Sequence, residues 1–143
     1  MTTVNRTALV PFSAAAMFRL IDDIDAYPQF LPWCSSTRVL SRSDAEVVAT
    51  IRIAKGPLHK EFTTRNRLMP DSRIELRLQD GPFKRLDGLW TFTQLGDDGC
   101  RVGLDLDFEF SSRLLTMTVG PVFNEIASTM VNAFCARARA VYG

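Results

Sequence analysis

Side chains that could act as acids, bases or nucleophiles are few in this sequence, and no pattern groups them into a catalytic set. His59 is the only histidine, and it lies in a predicted loop at residues 55–60, without an orienting partner beside it. The sequence has no GxSxG, HExxH, P-loop or dinucleotide-binding motif. Asp105, Asp107 and Glu109 alternate along a predicted strand, so they share its solvent-facing side. We therefore expect a protein that is not an enzyme and has no catalytic residues.

The cysteines and the net charge exclude further kinds of site. Cys34, Cys100 and Cys135 are widely separated and form no CxxC pair, which indicates reduced thiols in a cytoplasmic protein and no metal site. The 17 lysines and arginines nearly balance the 16 aspartates and glutamates, so the net charge is +1. That balance argues against binding to nucleic acid through bulk charge alone, although a local patch stays possible, and we expect no DNA partner.

Basic side chains are nevertheless concentrated in the middle of the chain, where they could form a partner-binding surface. Guanidinium groups bind RNA phosphates in a bidentate manner. The predicted patch consists of Lys60, Arg65, Arg67, Lys84 and Arg85. Acidic residues such as Glu61 and Asp87 lie between them, so a mixed, solvated surface is an equally open interpretation.

Two polar side chains are predicted on the buried face of a strand. Alternation over residues 61–69 places Thr64 and Asn66 on one side and Arg65 on the other. A few polar groups in an apolar chamber suit a ligand with a polar head. The alternative is that neighbouring side chains or a buried water satisfy their hydrogen bonds.

A long C-terminal helix is predicted to form one wall of that chamber. Between residues 114 and 142, bulky apolar residues recur at the spacings of one helix face, namely Val119, Phe123, Ile126, Met130, Phe134 and Val141. Gly120 and Pro121 predict a kink or a break near its start. Residues 114–136 are long enough to cross a bilayer, but Glu125, Ser128, Thr129 and Asn132 share one face, so we expect no transmembrane segment.

Strand patterns fill most of the chain before this helix. Residues 2–10 form a predicted first strand, followed by a helix capped by Ser13 and a second short helix capped by Asp25. Six further strands are expected at residues 37–41, 46–54, 61–69, 73–79, 86–95 and 100–110. Short turns between them imply an antiparallel meander. The predicted fold class is α+β of the helix-grip type: a curved antiparallel sheet of about six to seven strands wrapped on the long C-terminal helix, with two short helices after the first strand.

A sheet of this kind tends to enclose a cavity between its concave face and the helix. The predicted lining consists of Phe62, Thr64, Asn66, Trp90, Phe92, Leu106, Phe108, Phe123, Ile126, Met130 and Phe134. The residues predicted to gate the cavity are Tyr27, Phe30, Trp33 and Leu58. For each apolar residue of the lining, a place in a solid core is the alternative interpretation.

Several stretches resemble one known family. They are residues 6–11 (RTALVP), 27–34 (YPQFLPWC), 62–66 (FTTRN), 80–84 (DGPFK) and 106–110 (LDFEF). These motifs are similar to those of the bacterial ribosome association toxin (RatA) family. That family is similar in turn to the mitochondrial coenzyme Q-binding proteins, within the START-like, polyketide-cyclase-like superfamily. The resemblance spans nearly the whole chain.

The resemblance implies one START-like helix-grip domain over residues 1–143, built around a hydrophobic cavity. For toxin-type members it implies binding to the large ribosomal subunit and interference with its joining to the small subunit. For quinone-type members it implies binding of ubiquinone or a related isoprenoid lipid in support of respiration. We expect no cofactor other than such a bound lipid. The toxin-type function is our first expectation and the lipid-binding function is the alternative.

Overall fold

The computed structural model describes residues 2–143, which form seven strands and four helical segments. Strand β1 spans Thr2–Val10, helix α1 spans Ala14–Asp22, and a short 3-10 helix spans Ile24–Gln29. Strands β2 to β7 follow at Cys34–Arg42, Glu46–Lys55, Leu58–Met69, Arg73–Asp80, Phe83–Leu95 and Gly99–Phe110. Helix α2 spans Arg113–Thr118 and helix α3 spans Gly120–Tyr142.

The seven strands form one antiparallel sheet in the order β1-β7-β6-β5-β4-β3-β2. The predicted meander and the α+β helix-grip architecture are therefore confirmed. Some strands begin earlier than the sequence suggested. Strand β4 begins at Leu58, which pairs with Lys55 across a two-residue turn. Gly56 has a φ of +55° in this turn, a conformation that glycine adopts without steric cost.

The two faces of the sheet differ as alternation along β7 predicts. Its even-numbered residues, from Cys100 to Phe110, are buried on the concave side, whereas Arg101 and Asp105 are exposed on the convex side. One face of the sheet therefore packs against the helices and the other carries the charges.

The C-terminal helical region is interrupted where the sequence predicts it. Helix α2 is capped by Ser112, whose Oγ accepts a hydrogen bond of 3.1 Å from the Leu115 amide. Pro121 lies in the first turn of α3, where its missing N–H has no partner to lose. The predicted cap at Asp25 is wrong, because the 3-10 helix begins at Ile24 and includes Asp25 in its first turn.

Helix α3 presents its apolar face to the sheet as far as Ala138. Val141 is 50% exposed and does not continue the buried stripe as predicted. Ala138 is the last buried residue of the helix, so the final turn extends beyond the packed part. That turn is instead held by Tyr142, whose hydroxyl donates a hydrogen bond of 3.0 Å to the Ala16 carbonyl of α1.

Aromatic residues hold α3 against the sheet at two places. Near its start, Phe123 packs against the rings of Phe62, Phe83, Phe108 and Phe110. Eleven residues later, Phe134 packs against Tyr27, Phe30 and Trp90. At 1.5 Å per helical residue the two ring clusters lie roughly 16 Å apart along the helix. Between them the helix carries smaller side chains, and space remains above the sheet.

Candidate functional site

The space between helix α3 and the concave face is a cavity of about 70 Å³. Its walls come from both layers: Ile126 and Met130 on α3, strands β3 to β7 opposite, and residues around the 3-10 helix at one side. The cavity lies between the Phe123 and Phe134 ring clusters, because bulky rings keep the helix away from the strands there. A cavity this size holds a few water molecules or a small apolar group.

Eight of the eleven side chains predicted to line the cavity lie at its wall. They are Phe62, Thr64, Asn66, Trp90, Leu106, Phe123, Ile126 and Met130. Strand alternation explains those on the sheet and helical spacing explains those on α3. The structure therefore brings together residues that are as much as 68 positions apart, from Phe62 to Met130.

The other three predicted residues lie in the solid core. Phe108 packs against Phe83 and Phe123, with the Phe108–Phe123 ring centroids 4.8 Å apart. Phe134 is fully buried against Tyr27, 5.2 Å away between centroids. Phe92 packs against Phe18 of α1 at 5.7 Å. Phe92 and Phe108 face the same side of the sheet as the lining, and Phe134 lies on α3. Other rings cover all three, so they support the cavity without facing it.

Sequence reasoning missed six apolar residues of the wall. They are Ile24, Ile51, Ile53, Leu76, Leu86 and Leu104. All except Ile24 lie on strands at inward positions of the alternation, so the signal was present in the sequence. The pattern identifies an inward residue without telling whether a neighbour covers it.

The polar pair on β4 lies at the cavity wall, as predicted for Thr64 and Asn66. Thr64 is 5% exposed and Asn66 is 6% exposed. The Thr64 hydroxyl and the Asn66 amide oxygen are 2.8 Å apart and share a hydrogen bond. This bond satisfies one end of the Asn66 amide, and within residues 2–143 the amide nitrogen donates no side-chain hydrogen bond. The amide therefore offers one polar contact in a wall that is otherwise almost wholly apolar.

The four predicted gate residues are divided by the structure. Tyr27 and Trp33 line the cavity, whereas Phe30 packs on Phe134 and under the Arg137 guanidinium, 4.9 Å from its ring centroid. Leu58 is 1% exposed and belongs to the core. Burial, with a smaller effect of the Asp22 carboxylate, raises the pKa of the Tyr27 phenol well above its usual value. The phenol therefore remains a hydrogen-bond donor, and it donates to the Ile21 carbonyl.

We expect Tyr27→Phe to lower the free energy of unfolding by about 1–3 kcal/mol, because the Ile21 carbonyl loses a buried donor. Tyr142→Phe is the matched control, since its hydroxyl also donates to a carbonyl of α1 but is exposed to water. The control should lose less than about 0.5 kcal/mol. Urea unfolding of both variants measures the difference, and equal losses would contradict the buried role of Tyr27.

An ion pair crosses from the β3–β4 hairpin to the helix beside the cavity. Lys55 Nζ lies 3.5 Å from Glu125 Oε1 on α3, and both side chains are partly exposed. An exposed pair of this kind contributes roughly 0–1 kcal/mol. The contact therefore positions the hairpin without locking it.

The predicted basic patch is only partly assembled. Arg65, Arg67 and Arg85 share the convex face. Lys60 lies on the opposite side of β4, with Leu58 and Phe62, and is therefore separated from the three arginines. Lys84 lies in a β-bulge and reaches Glu109, 3.7 Å away. Carboxylates also accompany the arginines, as in the 2.7 Å pair of Arg65 with Glu46.

The remaining reactive side chains do not line the cavity. His59 is exposed, and its Nε2 lies 3.1 Å from the Gly56 carbonyl oxygen. The three cysteines are free and buried, and burial raises the pKa of Cys34 to about 11. Within residues 2–143 there is no group of three or more potential metal-ligating side chains. In the same part of the chain, no helix combines the length and apolar character that a membrane span requires.

Comparison with known proteins identifies relatives over the whole length. The family described as "Polyketide cyclase / dehydrase and lipid transport" matches residues 10–135. A protein of Vibrio cholerae named ribosome association toxin RatA is 50% identical over 143 residues, covering 100% of this chain and 99% of its own. The protein of the same name from Pseudomonas aeruginosa is 46% identical, with 99% of each chain covered.

More distant similarities include one further sequence relative and two solved structures. The mitochondrial coenzyme Q-binding protein COQ10 homolog B of Xenopus laevis is 26% identical, covering 97% of this chain and 59% of its own. A solved structure from Thermus thermophilus has a TM-score of 0.84 at 18% identity, covering 99% of this chain and 100% of that one. An 18 kDa protein of Caulobacter crescentus has a TM-score of 0.77 at 33% identity, covering 100% of this chain and 99% of that one.

Proposed function

Because this chain belongs to the polyketide cyclase / dehydrase and lipid transport family and to the ribosome association toxins within it, we propose that it binds the large ribosomal subunit. In binding, it interferes with association of the two subunits. The observation that carries this proposal is the near full-length similarity to proteins named for ribosome association. Their names do not say which surface of the protein makes the contact.

The proposed action needs no catalysis. A protein that occupies the surface through which the subunits join blocks that joining by exclusion. Among the residues lining the cavity, Tyr27 is the only titratable side chain, and its phenol stays protonated. A general acid–base mechanism requires a group whose pKa lies near the working pH. We therefore propose a non-enzymatic role, in the cytoplasm, where ribosomes are found.

Co-sedimentation tests this proposal. Purified protein mixed with separated large and small ribosomal subunits should pellet with the large subunits only. When the protein is added before the subunits are mixed, the peak of joined ribosomes in a sucrose gradient should fall as its concentration rises. Failure to pellet with large subunits, or an unchanged joined peak, would contradict the proposal.

Binding of an apolar ligand is a second candidate function, supported by the cavity itself. Its walls are almost wholly apolar, and the free end of the Asn66 amide supplies one polar contact. An isoprenoid quinone has this combination of a polar ring and an apolar tail. The present volume of 70 Å³ is below the roughly 300–1,000 Å³ of typical ligand sites. Such a ligand would therefore have to separate the helix from the sheet as it enters.

Organic extraction of the purified protein, followed by mass spectrometry, tests the second candidate. A prenylated quinone or another apolar compound recovered in proportion to the protein would support it. Extracts that match those of an unrelated protein purified in the same way would count against it.

A further inference from the structure

The convex face of the sheet carries an unusual row of charges. Arg65 on β4 lies directly opposite Arg77 on β5, and Arg77 lies opposite Asp87 on β6. Asp87 in turn lies opposite Asp107 on β7. Across four neighbouring strands the charges therefore run positive, positive, negative, negative.

This order of charges does not stabilise the sheet. Like charges directly opposite each other on antiparallel strands are destabilising, whereas alternating charges would be stabilising. Only the central contact, between Arg77 and Asp87 at 3.5 Å, is an ion pair within the row. Arg65 and Asp87 also have partners outside the row, Glu46 at 2.7 Å and Arg85 at 3.4 Å, so the opposed like charges are compensated by neighbouring residues and not by each other.

The row is part of a wider division of the convex face. Outward positions of β2 to β5 carry six arginines, which we call the arginine half: Arg38, Arg52, Arg65, Arg67, Arg73 and Arg77. Four carboxylates accompany them, Glu46, Glu61, Glu75 and Asp80. Strands β6 and β7 show the reverse excess, with Asp87, Asp105, Asp107 and Glu109 against Lys84, Arg85 and Arg101.

The chemistry of the arginine half fits nucleic-acid phosphates. All its basic residues are arginines, whose planar guanidinium groups bind phosphate oxygens in a bidentate manner, unlike the point charge of lysine. The side chains of Arg67 and Arg77 are 68% and 67% exposed. Their ion pairs, at 3.7 and 3.5 Å, are longer than good hydrogen bonds, so the N–H donors are free to bind elsewhere. Exposed pairs of this kind exchange readily for a stronger anion.

We propose that the arginine half of the convex face is the surface by which this chain docks on RNA of the large ribosomal subunit. This inference rests on the proposed ribosomal function and names the surface that performs it. The acidic strands β6 and β7 repel phosphates, so the protein is oriented with these two strands away from the RNA. The cavity lies on the opposite face of the sheet and stays accessible while the protein is docked.

A second copy of the chain is the other occupant that the charges could suit. A two-fold axis between β5 and β6 would place Arg65 of one copy near Asp107 of another. Two outwardly curved faces touch only around their centres, however, so such a pair would bury less surface than a stable interface requires. The geometry therefore favours RNA.

The test compares two double substitutions on the same face. Arg67→Gln with Arg77→Gln removes two charges from the arginine half. Arg85→Gln with Arg101→Gln removes two from the acidic half, to which the structure assigns Arg85 through its 3.4 Å ion pair with Asp87 and its place opposite Glu109. Co-sedimentation with purified large subunits is measured from 50 to 300 mM KCl. The first variant should bind about tenfold more weakly or worse. The slope of log affinity against log salt should become shallower by roughly 1.4–1.8, for two lost phosphate contacts. The control should bind within about twofold of the wild type.

Circular dichroism first establishes that both variants fold, so that a change in binding can be assigned to the substituted arginines. Equal weakening in the two variants would show that binding follows net charge, and the proposed surface would be wrong. Unchanged binding of the Arg67/Arg77 variant would also refute the surface but leave the ribosomal function standing. A wild type that does not bind large subunits would overturn both proposals. A wild-type dimer in light scattering that the Arg67/Arg77 change dissociates would assign the face to a second copy.

Discussion

Replacing Phe123 with alanine is expected to lower the free energy of unfolding by about 3–5 kcal/mol, the usual range for a fully buried phenylalanine. Phe123 is 3% exposed and joins α3 to strands β4, β6 and β7 through four other rings. The closest of these, Phe108, has its centroid 4.8 Å away. Truncation would leave a void that neighbouring rigid rings fill poorly, and the N-terminal end of α3 would lose its principal contact with the sheet.

Chemical unfolding in urea measures this loss. Leu114→Ala on α2 is the control, because that side chain is 70% exposed and should change stability by less than about 0.5 kcal/mol. A loss below about 1.5 kcal/mol for Phe123→Ala would mean that the ring cluster does not carry the helix–sheet contact.

A matched pair of isoleucines on the sheet is expected to separate the cavity from the solid core. Ile53 on β3 and Ile74 on β5 are each 2% exposed, but only Ile53 lines the cavity. Ile74→Phe should destabilise the protein by about 1–3 kcal/mol, because a packed core has no room for the larger ring. Ile53→Phe should change stability by less than about 1 kcal/mol, because the ring can enter existing space.

The same pair tests the lipid-binding candidate. If an apolar compound is extracted from the wild type, Ile53→Phe should reduce its recovery several-fold, since the ring occupies the space that the compound needs. Ile74→Phe, where it remains folded, should retain recovery. Urea unfolding and mass spectrometry of the extracts provide the two readouts. Equal destabilisation by both changes would refute the distinction between cavity and core.

The two candidate functions use opposite faces of one sheet. The cavity belongs to the concave face and to α3, whereas the arginine half belongs to the convex face. Strand alternation makes this possible, since successive residues of β4 serve the two faces in turn: Thr64 and Asn66 point inward, and Arg65 and Arg67 point outward. A substitution in one site should therefore leave the other intact.

Local patterns in the sequence determined most of the fold. The period of two along β7 and the period of 3.6 along α3 arise from backbone geometry, which a residue obeys whatever its distant neighbours are. Gly120 and Pro121 predicted the break that separates α2 from α3 for the same reason. Alternation also contains the information that Lys60 shares a side with Phe62 and so cannot join Arg65, although charge clustering along the chain suggested otherwise.

Only the tertiary structure decided which inward residues face empty space and which outward residues meet. Phe108 and Phe134 satisfy the same patterns as Leu106 and Met130, but their rings pack against other rings and hold the helix away from the sheet. The opposition of Arg65 and Arg77 depends on the register of β4 and β5, which hydrogen bonds between strands fix. Periodicity assigns a side chain to a face; the separation of the layers and the register of the strands come from packing between segments that are distant in the chain.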